Sequence, residues 1–353
     1  MSTLGTNNMP YILATKSIDE DKLKTVSHSK LYTYTKCPFL YKLKHVDKTL
    51  VSEKKPYFEL GTLVHRVYEI HYQSGLSILD SFEQAKIEFI HDLRIDVDLV
   101  NQAVAGYEKL SFLASEGCSN KEEWIRNKDG EVYKKPSMSS SWKAKANELG
   151  ITSINTQIRQ QLLGTNPEYA DLDIAEIICE AKQLCSNYRL PNWINCIDPD
   201  YVEFPISQLK ETIIINPVLL DEDTYFTGVI DFVGYTNTGQ VFIGDHKTDN
   251  DPPPSPAKVE AKPQLNRYAW AWKQLTGTLP HFLVIHHVRS GSWVAAPVNP
   301  SYVEKTYQNM LTISKAIDNE IFYMRNPDEY DSPCWKCEAL KVCWPKLTLE
   351  RYQ

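Results

Sequence analysis

Hydrophobic positions along the chain follow two different spacings, one before about residue 200 and another after it. In the first part apolar residues recur every three to four positions, as Leu60, Leu63 and Val67 do, and this spacing is typical of amphipathic helices. After residue 201, runs rich in Val, Ile, Phe, Tyr and Thr indicate strands. The patterns predict helices at 58–72, 78–117 with a break near 95–98, and 168–189, and strands at 201–206, 211–219, 224–235 and 240–246.

Turn-forming residues and helix caps divide the rest of the chain. Ser27 or Ser29 can cap a first helix that continues through Leu31 and Tyr34. Residues 118–165 contain Gly and Ser breaks, so we expect short helices and loops there. Further helices are predicted at 259–275 and 301–323, and strands at 281–289 and 292–297. This order of elements predicts an α/β fold with a mixed central sheet flanked by helices.

Composition and charge narrow the class of protein. The 353 residues are 42% hydrophobic, enough for a globular core, and the net charge of -7 argues against a protein held on nucleic acid by bulk charge alone. The polar first 27 residues lack a secretory signal, and no apolar run approaches the roughly 18 residues of a membrane span. We therefore expect a cytoplasmic protein of a bacterial or phage-infected cell, without a membrane partner. In that compartment the eight cysteines are thiols or metal ligands rather than disulfides.

The richest local signal is the segment GVIDFVGYTNTGQVFIGDHKT at 228–248. Its Asn-Thr-Gly turn lies between two strand-forming runs and predicts a hairpin. A loop centred on Thr238 places Asp231 opposite Asp245, because each lies seven residues from that centre. Lys247 follows two residues after Asp245 and so points to the same face of its strand.

Two opposed carboxylates repel each other unless a cation lies between them. Oxygen ligands of this kind suit Mg²⁺ or Mn²⁺, and such an ion can polarise a phosphoryl oxygen and lower the pKa of a bound water. Lys247 would then position the water or stabilise charge that develops on the phosphate. The alternative is an exposed hairpin with solvated charges, although neighbours such as Ile230 and Ile243 indicate buried strands.

The acidic pair belongs to a longer series of motifs. GVID and DHKT are preceded by GTLVHRVYE at 61–69 and followed by QLNRYAW at 264–270. In this order the four elements resemble the RecB-like branch of the PD-(D/E)XK nuclease superfamily, over roughly residues 29–75 and 201–345. The resemblance implies a restriction-endonuclease-like core and metal-dependent cleavage of DNA, and it leaves residues 95–200 uncovered.

The resemblance gives a metal-binding role to four residues. It implies that a helix delivers His65 as one ligand and that Asp231 and Asp245 are the acidic ligands. The carbonyl group of His246 would complete the set. For His65 an alternative stays open, because a single histidine on a helix is often a polar surface residue or a capped residue of the core.

The same resemblance implies that Lys247 is the catalytic lysine. Gln264 and Tyr268, one helical turn apart, would face the site and contact DNA or orient the lysine. A Gln-x-x-x-Tyr pair is common by chance and carries little weight alone. Around the same helix, Lys262 and Arg267 are placed to contact phosphates, so these two residues and Tyr268 are the predicted DNA contacts.

Three cysteines near the end of the chain form the pattern Cys-x2-Cys-x5-Cys, at Cys334, Cys337 and Cys343. A closed tetrahedral or cubane site needs a fourth thiolate, for which Cys37 is the candidate. One cysteine before the core and three after it resembles the iron–sulfur site of AddB-type and CRISPR-associated RecB-like nucleases, which implies a [4Fe–4S] cluster. Ligand chemistry alone leaves zinc open as the alternative.

These observations predict a chain of five segments. The predicted segments are a polar start at 1–28, a helical part with Cys37 and His65 at 29–95, a mainly helical insertion at 96–200, the nuclease core at 201–325 and an iron–sulfur region at 326–353.

The expected function is that of a Mg²⁺- or Mn²⁺-dependent DNA exonuclease. We expect it to act on single-stranded DNA or DNA ends, in repair, recombination or phage DNA metabolism, alone or beside a helicase or recombination protein. Two alternatives remain, a non-catalytic DNA-binding or assembly subunit and a structure-specific endonuclease. The complete set of Asp231, Asp245 and Lys247 argues against the non-catalytic subunit.

Overall fold

A computed structural model describes residues 24–50, 54–115, 124–126, 132–134, 140–189, 193–196, 203–236 and 238–345. Most of the predicted polar start, up to residue 23, lies outside the described residues.

The described strands and helices occur in runs along the chain. The strands are β1 (Lys24–Ser27), β2 (Trp124–Arg126), β3 (Val132–Lys134), β4 (Trp193–Cys196), β5 (Glu203–Leu219), β6 (Thr224–Thr236), β7 (Val241–Lys247), β8 (Phe282–His287) and β9 (Ser292–Pro297). The α-helices are α1 (His28–Lys36), α2 (Pro38–Tyr41), α3 (Pro56–Ser74), α4 (Ile78–Leu93), α5 (Val97–Ser115), α6 (Ser140–Glu148), α7 (Ile151–Thr165), α8 (Ile174–Ser186), α9 (Pro256–Glu260), α10 (Pro263–Thr276), α11 (Pro300–Asp318) and α12 (Leu340–Cys343).

Seven strands form one mixed sheet in the order β1-β6-β5-β4-β9-β8-β7. Strands β6 and β7 also pair with each other, so the pairings from β4 to β9 close into a ring. The pairs β1–β6, β4–β9 and β7–β8 are parallel, and the others in this sheet are antiparallel. The mixed sheet with flanking helices agrees with the predicted fold class and fits a restriction-endonuclease-like fold.

Helices cover two sides of this sheet. Helices α3, α4, α5, α7 and α8 share a core with Phe232 and Phe242, and helices α1, α10 and α11 share a second core with Val233 and Ile243. Adjacent strand residues therefore enter different cores, as the two-residue period of a strand requires. Burial on both sides explains why β6 and β7 are rich in large apolar residues.

The structure corrects several predicted boundaries. Two strands were predicted at 201–206 and 211–219, but residues 203–219 form the single strand β5, and residues 201–202 lie outside the described residues. The register of β5 against β6 shifts at two irregular points. The helix predicted at 259–275 is divided into α9 and α10, because Pro256 and Pro263 each occupy a first-turn position where proline starts a helix. The helix predicted at 301–323 ends at Asp318.

Short strands account for the elements that the pattern missed. The hairpin of β2 and β3 lies where helices and loops were predicted, and each strand has three residues. Strands β1 and β4 have four residues each, too few for a periodic signal. Both join the main sheet, which therefore extends beyond the predicted nuclease core at 201–325.

Across the part of the chain that the structure describes, no helix is both long enough and apolar enough to cross a membrane.

Candidate active site

The hairpin of β6 and β7 brings two aspartates together. The strands pair antiparallel, and the last pair of the register is Phe232 opposite Gly244. Asp231 and Asp245 are the next residues on their strands, which is the opposition that the loop centred on Thr238 predicts. Asp245 is 2% exposed, so this position is in the interior and not on a solvated hairpin.

Gly244 makes this close approach of the strands possible. A Cβ atom built at Gly244 would lie 2.0 Å from Cζ of Phe232, far inside contact distance. The Phe232 ring therefore lies over the backbone of Gly244, where only a hydrogen fits. This packing fixes the register one residue away from the acidic pair.

Hydrogen bonds and an ion pair hold both carboxylates. The backbone N–H of His246 donates to Oδ2 of Asp231 at 2.8 Å. Gln264 donates from Nε2 to Oδ1 of Asp245 at 2.8 Å, and the Lys247 Nζ lies 2.5 Å from the other oxygen, Oδ2. Lys247 also donates to Oε1 of Gln264 at 3.2 Å, so Lys247, Gln264 and Asp245 form a closed triangle of contacts.

Burial and nearby charges shift the pKa values of the two aspartates in opposite directions. Burial and the nearby charge of Asp245 raise the pKa of Asp231 well above its ordinary value. Burial alone would also raise the pKa of Asp245, but the charge and hydrogen bond of Lys247 outweigh it and lower that pKa. Asp245 therefore carries the negative charge, and Asp231 retains a proton more readily. A cation between them would stabilise the charged form of both.

His65 on α3 approaches the pair from the other side. Its Nδ1 lies 3.5 Å from Oδ2 of Asp231, and its side chain is 35% exposed. Burial, with a smaller contribution from His246, lowers the pKa of His65 to about 4. The imidazole is therefore neutral at pH 7, which is the form that ligates metals.

The backbone and the ring of His246 lie in two different environments. The carbonyl of the next residue, Lys247, accepts from the Val288 N–H on the β8 side, so the N–H and C=O of His246 face the opposite, β6 side. That is the orientation which a ligand role for the carbonyl requires. The ring lies in the interior, 4.7 Å from the Tyr68 ring, and its Nδ1 is 2.9 Å from Nδ1 of His286.

Helix α10 presents the pair Gln264 and Tyr268 toward the acidic residues. Tyr268 is 6% exposed, its ring lies against Gly228, and Gln264 lies close enough to its hydroxyl to influence the pKa of Tyr268. Burial raises the pKa of Tyr268, so the phenol stays protonated at neutral pH. The structure thus brings five of the predicted residues, Asp231, Asp245, Lys247, Gln264 and Tyr268, into one connected group.

The predicted DNA contacts differ in accessibility. Lys262 is half-buried at the start of α10. Arg267 is only 3% exposed, and its Nη1 donates to Nδ1 of His28 at 2.9 Å and to the His28 carbonyl at 3.2 Å. Arg267 therefore holds the start of α1 against α10, and the sequence pattern did not foresee that its guanidinium would lie inside the protein.

A basic cleft of about 610 Å³ opens beside Lys247. Twelve residues line it, among which four are Lys or Arg and none is Asp or Glu. The lining residues are His28, Tyr32, Thr35, Lys247, Lys262, Pro263, Gln264, Arg267, Tyr302, Lys305, Thr306 and Asn309. The α11 side of this cleft was not predicted from the sequence, although Tyr302, Lys305 and Asn309 recur there at helical spacing.

The four predicted cluster cysteines also meet. Cys37, Cys334, Cys337 and Cys343 line one small cavity of about 10 Å³, which has room for about one water molecule. Burial, then the charges of the other three sulfur atoms, raises the pKa of Cys343 to about 11. The thiols are therefore close enough to oppose one another's ionisation, and a bound cation would remove that opposition.

The side chains as they stand do not form a ready metal cage. Within the described ranges, no group of three or more His, Cys, Asp or Glu residues is arranged so that it could hold a metal ion. At the acidic pair the reason is visible, because both oxygens of Asp245 are engaged by Lys247 and Gln264.

Comparison with known proteins agrees with this geometry. No curated protein is significantly similar to the chain in sequence. The sequence profile of the PD-(D/E)XK nuclease superfamily, however, matches residues 25–344, from β1 to the end of the cysteine region. The match includes residues 95–200, which the motif resemblance left uncovered. On a match over nine-tenths of its length, the chain belongs to the PD-(D/E)XK nuclease superfamily.

Proposed function

We propose that the protein is a Mg²⁺- or Mn²⁺-dependent DNA exonuclease of the RecB-like branch of its superfamily. The observation that carries the proposal is the acidic pair itself. The carboxylates of Asp245, which is 2% exposed, and Asp231, whose side chain is 15% exposed, are opposed on one hairpin. The ammonium group of Lys247 lies 2.5 Å from Asp245. Buried charges of like sign are costly unless a cation compensates them, and a metal site gives them that compensation.

The donor set fits a hard divalent cation. Asp231, Asp245, the neutral ring of His65 and the carbonyl of His246 would hold it, and Lys247 would release Oδ2 of Asp245 on binding. When bound, the ion supplies a polarised phosphoryl oxygen and a more acidic water.

Lys247, held by Gln264, would act on the attacking water and on the phosphate. Burial tends to lower the pKa of Lys247, but the charge of Asp245 raises it, so the ammonium form persists at neutral pH. Gln264 accepts from this ammonium group at 3.2 Å and fixes its direction. Lys247 would then orient the attacking water and stabilise the negative charge as the new O–P bond forms and the old one breaks.

The shape of the DNA substrate decides between exonuclease and endonuclease. We expect the wild-type protein with Mg²⁺ to degrade linear single-stranded DNA and to leave a circular single strand of the same sequence intact. Product sizes on a denaturing gel measure this. Cleavage of the circle at a comparable rate would reject the exonuclease and favour the structure-specific endonuclease.

We also propose that the four cysteines hold a [4Fe–4S] cluster, with zinc as the alternative. The support is their common cavity and the mutual effect on their ionisation. Neighbouring contacts already join the two ends of the chain, since Lys44 pairs with Glu338 and the Phe39 N–H donates to the Tyr323 carbonyl at 3.2 Å. A cluster would strengthen this connection between α1 and the region after α11.

Colour and metal content test the cluster directly. Protein purified without oxygen is expected to be brown, with a broad visible absorption band and about four irons per chain. Cys37→Ser should lose the band, whereas Cys185→Ser, a buried thiol in α8 outside this cavity, should keep it. A colourless protein that contains one zinc would instead establish the zinc site.

A further inference from the structure

The basic cleft beside Lys247 is a groove between two helix faces. Helix α1 contributes His28, Tyr32 and Thr35, which share one face at spacings of four and three. Helix α11 contributes the opposite wall, made of Tyr302, Lys305, Thr306 and Asn309. The floor is the start of α10 with Lys247, so the groove ends at the candidate active site.

Aromatic rings stand on both walls of this groove. Tyr32 is 59% exposed, and its ring is stacked with the His28 ring, with centroids 6.2 Å apart and an angle of 24°. Tyr302 is half-buried on the opposite wall, with Nζ of Lys305 5.7 Å from its ring centroid. An exposed tyrosine ring is a platform on which a base can stack, whatever the identity of the base.

The charges of the groove suit a phosphate backbone. Lys262 and Lys305 lie on its floor and wall, and no acidic residue lines it, although the whole chain has a net charge of -7. Its volume of about 610 Å³ falls within the roughly 300–1,000 Å³ of pockets that enclose one small molecule. A few unpaired nucleotides match that size better than a base-paired duplex.

We propose that this groove binds a single strand of DNA, with bases stacked on Tyr32 and Tyr302 and phosphates at Lys262 and Lys305. The strand leads to Lys247, where the scissile phosphate lies. This inference rests on the proposed nuclease function and gives it a substrate form, an unpaired strand that enters between α1 and α11. We therefore expect binding that is independent of sequence, because neither stacking nor phosphate contacts involve the edges of the bases.

Equilibrium binding without divalent ions tests the groove apart from cleavage. Fluorescence anisotropy in EDTA measures binding of labelled oligo(dT) and of a blunt duplex to the full-length protein. Tyr32→Ala is expected to weaken oligo(dT) binding by about 5- to 150-fold, the loss of one base–aromatic stack. Lys305→Ala should reduce the slope of log K against log salt concentration by about 0.7, the loss of one phosphate contact on a single strand.

Matched variants separate the groove from general effects. Tyr32→Phe keeps the ring, Tyr330→Ala removes a tyrosine that is 94% exposed elsewhere, and Lys315→Ala removes an exposed lysine of α11 outside the groove. Tyr330→Ala and Lys315→Ala should bind oligo(dT) within twofold of wild type, and Tyr32→Phe should bind it more tightly than Tyr32→Ala does. Absence of oligo(dT) binding by the wild type, wild-type binding by Tyr32→Ala, or an equal loss of duplex binding would overturn the proposal.

The two proposals fail in different ways. Binding that depends on Tyr32 without any cleavage in Mg²⁺ would reject the nuclease reaction and leave the groove as a single-strand site. Cleavage in Mg²⁺ together with unchanged oligo(dT) binding by Tyr32→Ala would reject the groove and leave the reaction.

Discussion

Replacement of Asp245 by asparagine is expected to reduce Mg²⁺-dependent DNA cleavage by at least about 10³-fold, because a bound metal contributes several kcal/mol to transition-state stabilisation. The substitution keeps the shape of a side chain that is 2% exposed but removes the charge that pairs with Lys247. Initial rates of release of labelled nucleotide from linear DNA measure the effect.

A second aspartate provides the control for this variant. Asp249 lies four residues further along, and its side chain is 51% exposed. Its Oδ1 lies 3.8 Å from Nε2 of His287, which is a long ion-pair contact. Asp249→Asn should cleave within a few-fold of wild type, since exposed pairs contribute little. Equal rates for wild type and Asp245→Asn would reject the assignment of the acidic pair as the active site.

Replacement of Gly244 by alanine is expected to destabilise the protein by about 1–3 kcal/mol, the usual cost of forcing extra volume into a packed core. The added Cβ would lie 2.0 Å from the Phe232 ring, so the hairpin must shift next to Asp245. Urea denaturation measures the free energy of unfolding, and cleavage should fall as well, because small displacements of catalytic groups are costly.

Two further variants show whether the Phe232 ring is the cause. Gly164→Ala adds the same methyl group in α7 where no atom lies within 4 Å, and it should be neutral or slightly stabilising. The double variant Gly244→Ala with Phe232→Leu should lose less stability than the sum of its single variants, because they share one contact. Full additivity, or a Gly244→Ala protein as stable as wild type, would contradict this packing.

The acidic pair could be predicted because a hairpin converts sequence spacing into geometry. The Asn-Thr-Gly sequence at 237–239 predicts a turn centred on Thr238, so the positions of Asp231 and Asp245 follow from counting residues, and the observed register agrees. The motif on α10 was predictable for a similar reason, since four residues make about one helical turn. In both cases local rules were sufficient.

Long-range packing explains what the sequence did not reveal. Strand β1 pairs with β6 about 200 residues further along, and β4 joins the nearby β5 to β9, which lies almost 100 residues away. The four residues of each strand carry too little periodic signal to predict such pairings. Arg267 lies on a face of α10 that α1 covers. The residues of α11 form a groove wall only because Tyr32 of α1 lies opposite them. Such features require the tertiary structure.

The dependence of DNA cleavage on divalent ions is the decisive test of a metal-dependent active site at Asp231 and Asp245. Wild-type protein is incubated with end-labelled linear DNA in EDTA, and then with Mg²⁺ or Mn²⁺ in excess. We expect no cleavage in EDTA and cleavage restored by either ion. Cleavage that persists in EDTA, or none with either ion on single-stranded and double-stranded substrates, would contradict a metal-dependent nuclease centre at Asp231 and Asp245.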